Sequence, residues 1–361
     1  MGVRQQHLFK AISLVLTVLI LSSAGFAGSA SADRPHAKTY TIYLSNNYLG
    51  NDWRVQMEHS AEVLALKGPD AGRVNLHIVN VDNTVAAQIA SLNNIIQTHP
   101  DAILIDAGSN DALNSTIARG CAQGILMMSF DQVVSAPCAW KFDSGQNDQQ
   151  PWGAEWLAAT LHYKGNILID RGLPGAPLSV GAIAVWNKIF AKYPKIHIAG
   201  YYAGQYALGP EQAAVAALLT AHPHIDGIMS QAYGVGAIAA LKAAGAKPAP
   251  MIAATFNETM LACLQNHIGC LMSVNPTWLS GLAMKYAVDA LDGKISKTAR
   301  WVHDEVPPYS TNNVQIPGAN VKTVPVVSGV NVYPKMPGTL TLPVSPTWAT
   351  ITPQEASTGK L

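Results

Sequence analysis

The stretch Thr41-Ile42-Tyr43-Leu44-Ser45-Asn46-Asn47-Tyr48-Leu49-Gly50-Asn51-Asp52-Trp53-Arg54 decides the fold. An apolar strand pattern ends in a polar, aromatic and cationic turn, and a helical pattern follows over 53–66. A strand that feeds a helix through a short turn is the repeating unit of a parallel sheet. In open sheets of that kind, ligands sit beyond the carboxyl ends of the strands, where this turn lies.

Working outward, the same unit recurs. Strand patterns at 74–79, 102–105 and 125–130 alternate with helical faces marked by Ile89, Leu92 and Ile96 and by a run starting at Leu113. Asp106 and Asp131 stand at two of the strand ends. A second series has strands near 167–169, 198–201, 227–229, 251–254 and 271–274, separated by helices near 180–191, 210–220, 235–243 and 258–265. Two series of this length predict an α/β protein of two lobes, each with its own parallel sheet. After Pro307 the pattern dissolves into Pro, Gly, Thr, Val and Asn. That segment either wraps a lobe or hangs loose, and residues 353–361 are expected to be mobile.

The amino terminus carries Arg4 and Lys10, an apolar run over 11–21, and Ala30-Ser31-Ala32. This is the pattern of a secretory signal peptide over 1–32, with a mature start near Asp33. Its apolar run is much shorter than the roughly 20 residues that span a bilayer. No cysteine lies near the cleavage site, so a lipid anchor is not expected and a periplasmic location is. Removing 1–32 turns 23 basic against 22 acidic residues into 21 against 22, a formal balance of about −1. No polybasic face is available for nucleic acid or anionic lipid.

Four cysteines in an exported chain invite pairing, with three connectivities open. Pairing of sequence neighbours, Cys121 with Cys138 and Cys263 with Cys270, is the simplest; four buried thiols is the other reading. Zinc is poorly supported, because there is no CxxC and His222 and His224 flank a proline. No GxGxxG after a strand, P-loop lysine, GxSxG elbow or HExxH is present, so no cofactor is implied and the usual parts of nucleotide, acyl-transfer and zincin chemistry are missing.

With these residues in order, the chain resembles the periplasmic sugar-binding proteins of ABC importers, of the ribose and galactose type. The resemblance covers roughly residues 40–295. Besides the opening turn, its marks are Leu104-Ile105-Asp106 with Asp111, Ser129-Phe130-Asp131, and Leu218-Leu219-Thr220-Ala221-His222-Pro223 before Gly227-Ile228-Met229-Ser230-Gln231. Phe256-Asn257 and Asn275-Pro276 complete the set. The resemblance implies two Rossmann-like lobes joined by three crossover segments, the type I periplasmic binding protein fold. One lobe is expected over 33–147 plus 276–306, the other over 148–275, with 307–361 as an extension.

Position by position, the resemblance assigns ligand contacts to Asn47, Asn51, Trp53, Arg54, Asp106, Asp131 and Asn147 on the first lobe. Carboxylates accept hydroxyl hydrogens, arginine donates to neighbouring oxygens, and an indole offers a flat apolar face to a sugar ring. The second lobe contributes Leu173, Tyr206, Asn257 and Asn275, and departs from the family pattern. Ala182, near Val180, stands where an arginine is usual, and Ala232 where a polar residue follows Gln231. The ligand is therefore expected to be smaller or deoxygenated, or to carry an apolar substituent that meets Leu173, Ala182, Ala232 and Tyr233. The implied role is capture of a small carbohydrate or polyol by a monomeric receptor that delivers it to an ABC permease. The alternatives are a sensor subunit for a membrane receptor and, more remotely, a glycoside-processing enzyme using Asp106 and Asp131.

Overall fold

A computed structural model describes residues 38–361, apart from 232, 313–315 and 319–321 and the side chains of 146–148 and 177. The export segment 1–32, Ala232 and the side chain of Asn147 therefore lie outside the described residues.

The first sheet is built from β1 (Tyr40–Asn46), α1 (Asp52–Lys67), β2 (Val74–Asn80), α2 (Val85–Gln97), β3 (Ala102–Asp106), α3 (Asn114–Ala122), β4 (Leu126–Phe130) and β5 (Trp140–Asp143). The second lobe follows with α4 (Gln146–Thr160), β6 (Gly165–Asp170), α5 (Pro177–Phe190), β7 (Ile196–Tyr202), α6 (Leu208–Ala221) and β8 (Gly227–Met229). It continues through α7 (Val235–Ala243), β9 (Met251–Ala254), α8 (Asn257–Gln265) and β10 (Cys270–Ser273). The chain then forms α9 (Leu279–Leu291), β11 (Trp301–His303), β12 (Tyr309–Ser310), β13 (Val324–Pro325) and α10 (Pro353–Thr358).

Six strands form one sheet in the order β11-β5-β4-β3-β1-β2, and seven form the other in the order β13-β12-β10-β9-β8-β6-β7. Pairing is parallel throughout the first sheet; in the second, only β10 with β12 is antiparallel. In each sheet the order reverses beside its first strand, β1 or β6, and such a reversal opens a crevice at the carboxyl ends. The central strands are continuous apolar runs because helices cover both faces. Every residue of β3, Ala-Ile-Leu-Ile-Asp, is buried. Each fully buried Ile or Leu of this kind contributes about 1.5–3 kcal/mol by leaving water.

The helices start where local chemistry allows. Asn51 caps α1, its side-chain oxygen accepting from the Arg54 N–H at 2.9 Å, and Asp52 lies in the first turn against the positive end of the helix. Thr84 caps α2 in the same way. Disulfides join Cys121 to Cys138 and Cys263 to Cys270.

The chain passes from the first sheet to the second after β5, back after β10, and across again between β11 and β12. A further passage follows. Residues beyond β13 lie along the second lobe, where Asn257 Nδ2 donates to the Tyr333 carbonyl at 2.9 Å and the Leu342 N–H donates to the Thr255 carbonyl at 2.9 Å. They then cross to α1 of the first lobe, where Lys67 pairs with Glu355 at 2.6 Å. The terminal residues are not a loose end: Thr352 and Glu355 form a reciprocal capping box on α10, and Ala356 is buried against α1.

Candidate functional site: the cleft between the lobes

The carboxyl ends of both sheets face one cleft of about 270 Å³. On the first lobe the strand ends place Asn47 after β1 and Asp131 after β4, and the first turn of α1 adds Trp53 and Arg54. Asp131 sits in the left-handed region, at φ 55°, which short polar side chains tolerate better than others. Asn275 Nδ2, at the return from β10, donates to Asp131 Oδ1 at 2.8 Å.

Arg54 is the hub of this wall. Its guanidinium meets Asp106 at 2.5 Å and Asp131 at 3.9 Å, and donates to Asn46 Oδ1 at 2.7 Å and Asn47 Oδ1 at 3.0 Å. Asp106 does not line the cleft. It is fully buried behind Arg54, where it pairs with the cation. Burial pushes the Asp106 carboxyl well above the usual carboxylate range, with the adjacent guanidinium opposing that rise.

The second lobe is organised by a residue the sequence did not single out. Asp170, at the end of β6 and almost wholly buried, accepts from the N–H groups of Gly172 at 2.8 Å, Gly204 at 2.7 Å and Gln231 at 3.1 Å. One carboxyl thus ties together the loops that follow β6, β7 and β8; burial raises its pKa, and these three donors oppose the rise. On that frame Tyr206, itself at φ 53°, bonds through its hydroxyl to Ser179 and Gln231. Gly172 makes the close approach feasible. At φ +57° a Cβ there would stand 2.5 Å from both Gln231 Oε1 and Ser179 Oγ.

Beneath the cleft, Ser230 Oγ donates to Glu211 Oε1 at 2.5 Å, Tyr202 donates to the same oxygen at 3.3 Å, and the Gly236 N–H donates to Oε2 at 3.1 Å. Glu211 is 2 % exposed. Burial, with a smaller contribution from the Asp170 charge, pushes its carboxyl up to about 7.

Eight of the residues expected to meet ligand line this cleft: Asn47, Asn51, Trp53, Arg54, Asp131, Leu173, Tyr206 and Asn275. Asn51 does so while capping α1. Asn257 is turned away. It is fully buried, its amide donating to the Tyr333 and Pro337 carbonyls and its oxygen accepting from the Tyr333 N–H, so it fastens the C-terminal segment. Ala182 lies in the core of the second lobe and Val180 points to solvent; Leu178 and Trp186 of the same helix face the cleft instead. Tyr233 does not line the cleft either: its ring stacks on Phe256 at 4.0 Å and its hydroxyl bonds to Asp52 of the first lobe.

The sequence reading also missed Gln132, Gln150, Phe256 and Thr341, all of which line the cleft. Gln132 follows Asp131 directly, a signal that was available. Trp186 and Phe256 carry none, since an aromatic residue on an apolar helix or strand end reads as core.

Several contacts bridge the lobes. Trp53 Nε1 donates to the Asn275 carbonyl at 2.7 Å, the Leu178 N–H donates to Gln132 Oε1 at 3.3 Å, and Tyr233 reaches Asp52. Three buried polar atoms of cleft residues have no hydrogen-bond partner among the described residues: Asn275 Oδ1, Trp186 Nε1 and Thr341 Oγ1. Buried polar groups are normally satisfied, so at these three atoms a polar partner is missing. No group of three or more His, Cys, Asp and Glu among the described residues is placed to hold a metal, and no described helix is long and apolar enough to cross a membrane.

Two α/β lobes with a polar and aromatic cleft between their strand ends define a hinged solute receptor. The chain belongs to the periplasmic binding protein family, whose domain model matches residues 42–295. Members of this family bind solutes and are not enzymes. The xylitol-binding protein of Mycolicibacterium smegmatis is 25 % identical over 188 residues, which is 50 % of this chain and 53 % of that protein. The chain thus spans about half the length of that relative. The ribose import binding protein of Bacillus subtilis is 23 % identical over 299 residues, covering 80 % of this chain and 96 % of its own. Among solved structures, an ABC transporter solute-binding protein from Burkholderia graminis, in complex with D-arabinose, superposes with a TM-score of 0.67 at 21 % identity. That match covers 77 % of this chain and 97 % of the other.

Proposed function

We propose that the chain is the receptor subunit of a carbohydrate ABC importer, exported by residues 1–32, monomeric, and loaded with one neutral monosaccharide or alditol. The observation that carries this reading is the state of Arg54. Its charge is already engaged by Asp106 and Asp131, so the cation at the cleft is matched to carboxylates of the protein and not to an acidic ligand. Asp131 then accepts ligand hydroxyl hydrogens, Asn47 and Gln231 offer amides, and Trp53 faces the ring. Leu173, Leu178 and Trp186 give the opposite wall an apolar character, which favours a ligand with one weakly hydroxylated side. A cavity of about 270 Å³ suits a single pentose or hexose unit, not a chain of them. The lobes divide near 147/148 and 275/276 and again after 306, and closure about these crossings presents the loaded shape to a permease.

The test is a thermal-shift screen of D-ribose, D-arabinose, L-arabinose, D-xylose and xylitol, with sugar acids and small aromatic acids as controls. A ligand that binds the native state raises the melting temperature. The expected result is a shift with at least one neutral sugar or alditol, none with the acids, and its loss in Asp131→Asn. That variant keeps a side chain suited to the left-handed backbone and removes charge-assisted bonds of about 1.5–3 kcal/mol, a 10- to 150-fold weakening. A shift confined to the acids would overturn the reading.

A further inference from the structure

The family model ends at residue 295, yet a residue 46 positions further on, Thr341, stands in the cleft. Its surroundings are built to put it there. The Thr341 N–H donates to Gln56 Oε1 at 2.7 Å while Gln56 Nε2 donates to the Thr341 carbonyl at 2.8 Å, so one side chain of α1 grips both backbone groups. On either side, the Asn257 N–H donates to the Leu340 carbonyl at 2.8 Å, and Thr255 Oγ1 donates to the Leu342 carbonyl at 2.5 Å. Residue 341 is therefore fastened to the first lobe and its two neighbours to the second.

With the backbone wholly engaged, the side chain has one polar atom left. Thr341 is 2 % exposed, and Oγ1 has no partner among the described residues. A hydroxyl buried without a partner costs free energy, and nothing in the packing of the segment requires one, since a valine has the same shape. Leu340 and Leu342, its neighbours, are both buried and apolar, as a purely structural strap would be.

We propose that the C-terminal extension is part of the binding machinery: it forms a third wall of the cleft, and Thr341 Oγ1 is a hydrogen-bonding and specificity-determining contact for a ligand hydroxyl. This rests on the reading of the chain as a carbohydrate receptor. Because residue 341 is held from both lobes, the contact is available only when the lobes and the extension are assembled together.

The experiment is calorimetric titration of D-ribose, D-arabinose, L-arabinose, D-xylose and xylitol into the full exported chain, as wild type, Thr341→Val and Thr341→Ser. Melting temperatures are recorded without ligand. For whichever sugar or alditol the wild type binds, affinity should fall about five- to tenfold in Thr341→Val and stay within twofold in Thr341→Ser. Without ligand, Thr341→Val should melt no lower than wild type, because an unpaired buried hydroxyl has been removed. Binding and unliganded stability thus move in opposite directions, which a structural threonine would not produce. Unchanged affinity in Thr341→Val, a loss matched by a lower melting temperature, or failure of Thr341→Ser to restore binding would each overturn the assignment while leaving the receptor reading intact. A wild type that binds none of the five overturns the carbohydrate reading and this contact with it.

Discussion

Glu211 is buried beneath the second-lobe wall of the cleft, and its replacement by glutamine should change how stability responds to pH. In the unfolded chain this carboxyl loses its proton near 4.5, whereas burial in the native state holds it at about 7. Between those values the native state binds more protons than the unfolded state, so stability falls as pH rises through that window. The gap corresponds to about 3 kcal/mol, fully lost above pH 7. Glu211→Gln retains an oxygen for the Gly236 N–H, and its amide can donate to Ser230 Oγ or Tyr202 Oη once those hydroxyls turn. The variant has no proton to lose. Urea unfolding at pH 4, 6 and 8 should therefore show the variant gaining on wild type by about 3 kcal/mol between pH 4 and pH 8. Asp106, also raised, is present in both proteins and cancels in the difference, whereas Asp170, whose charge bears on Glu211, contributes only through that smaller coupling. Parallel stability curves would refute the reasoning, and would mean that the three donors around Glu211 outweigh its burial.

Two further outcomes follow from the cleft. Arg54→Met strips Asp106 of its counter-charge and should cost about 3–5 kcal/mol at pH 8, as breaking a buried ion pair does. Because burial already raises the Asp106 pKa, the loss should shrink as pH falls and the acid becomes neutral; equal losses at pH 5 and pH 8 in urea unfolding would contradict this. Tyr233→Phe removes the bond to Asp52 that joins the lobes, worth about 1 kcal/mol, and should speed ligand release about fivefold in stopped-flow measurements. An unaltered release rate would place that bond outside the closed state's stabilisation.

The alternation of strands and helices was legible because parallel strands covered on both faces are written as uninterrupted apolar runs; Ala102-Ile103-Leu104-Ile105 needs no partner to be read. β5 and α4 escaped notice, the one being four residues long and the other holding Pro151 within a helix that begins on polar residues. The cleft was half legible. Residues at strand ends carry their own signal, but a carboxylate facing the cleft, as at Asp131, and one buried behind an arginine, as at Asp106, stand at equivalent strand ends and the sequence does not distinguish them. The fate of Asn257 depended on carbonyls 76 to 80 residues away. On α5, Ala182 and Trp186 stand one turn apart on the same face and share one core cluster, yet only the tryptophan also lines the cleft, a difference of position and side-chain size that an apolar stripe does not disclose. The extension showed no period because side chains of Gln56 and Asn257, rather than a ladder of strands, take up much of its backbone bonding.

The two disulfides each begin and end within one lobe, Cys121–Cys138 beside the first sheet and Cys263–Cys270 within the second. Neither spans the cleft. Oxidation therefore stiffens two bodies without fastening one to the other, and the first bridge closes the segment that carries Asp131 and Gln132 of the cleft. A reductant would lower the melting point of the receptor by freeing these two loops, and would loosen the first-lobe wall of the cleft without unlocking one lobe from the other.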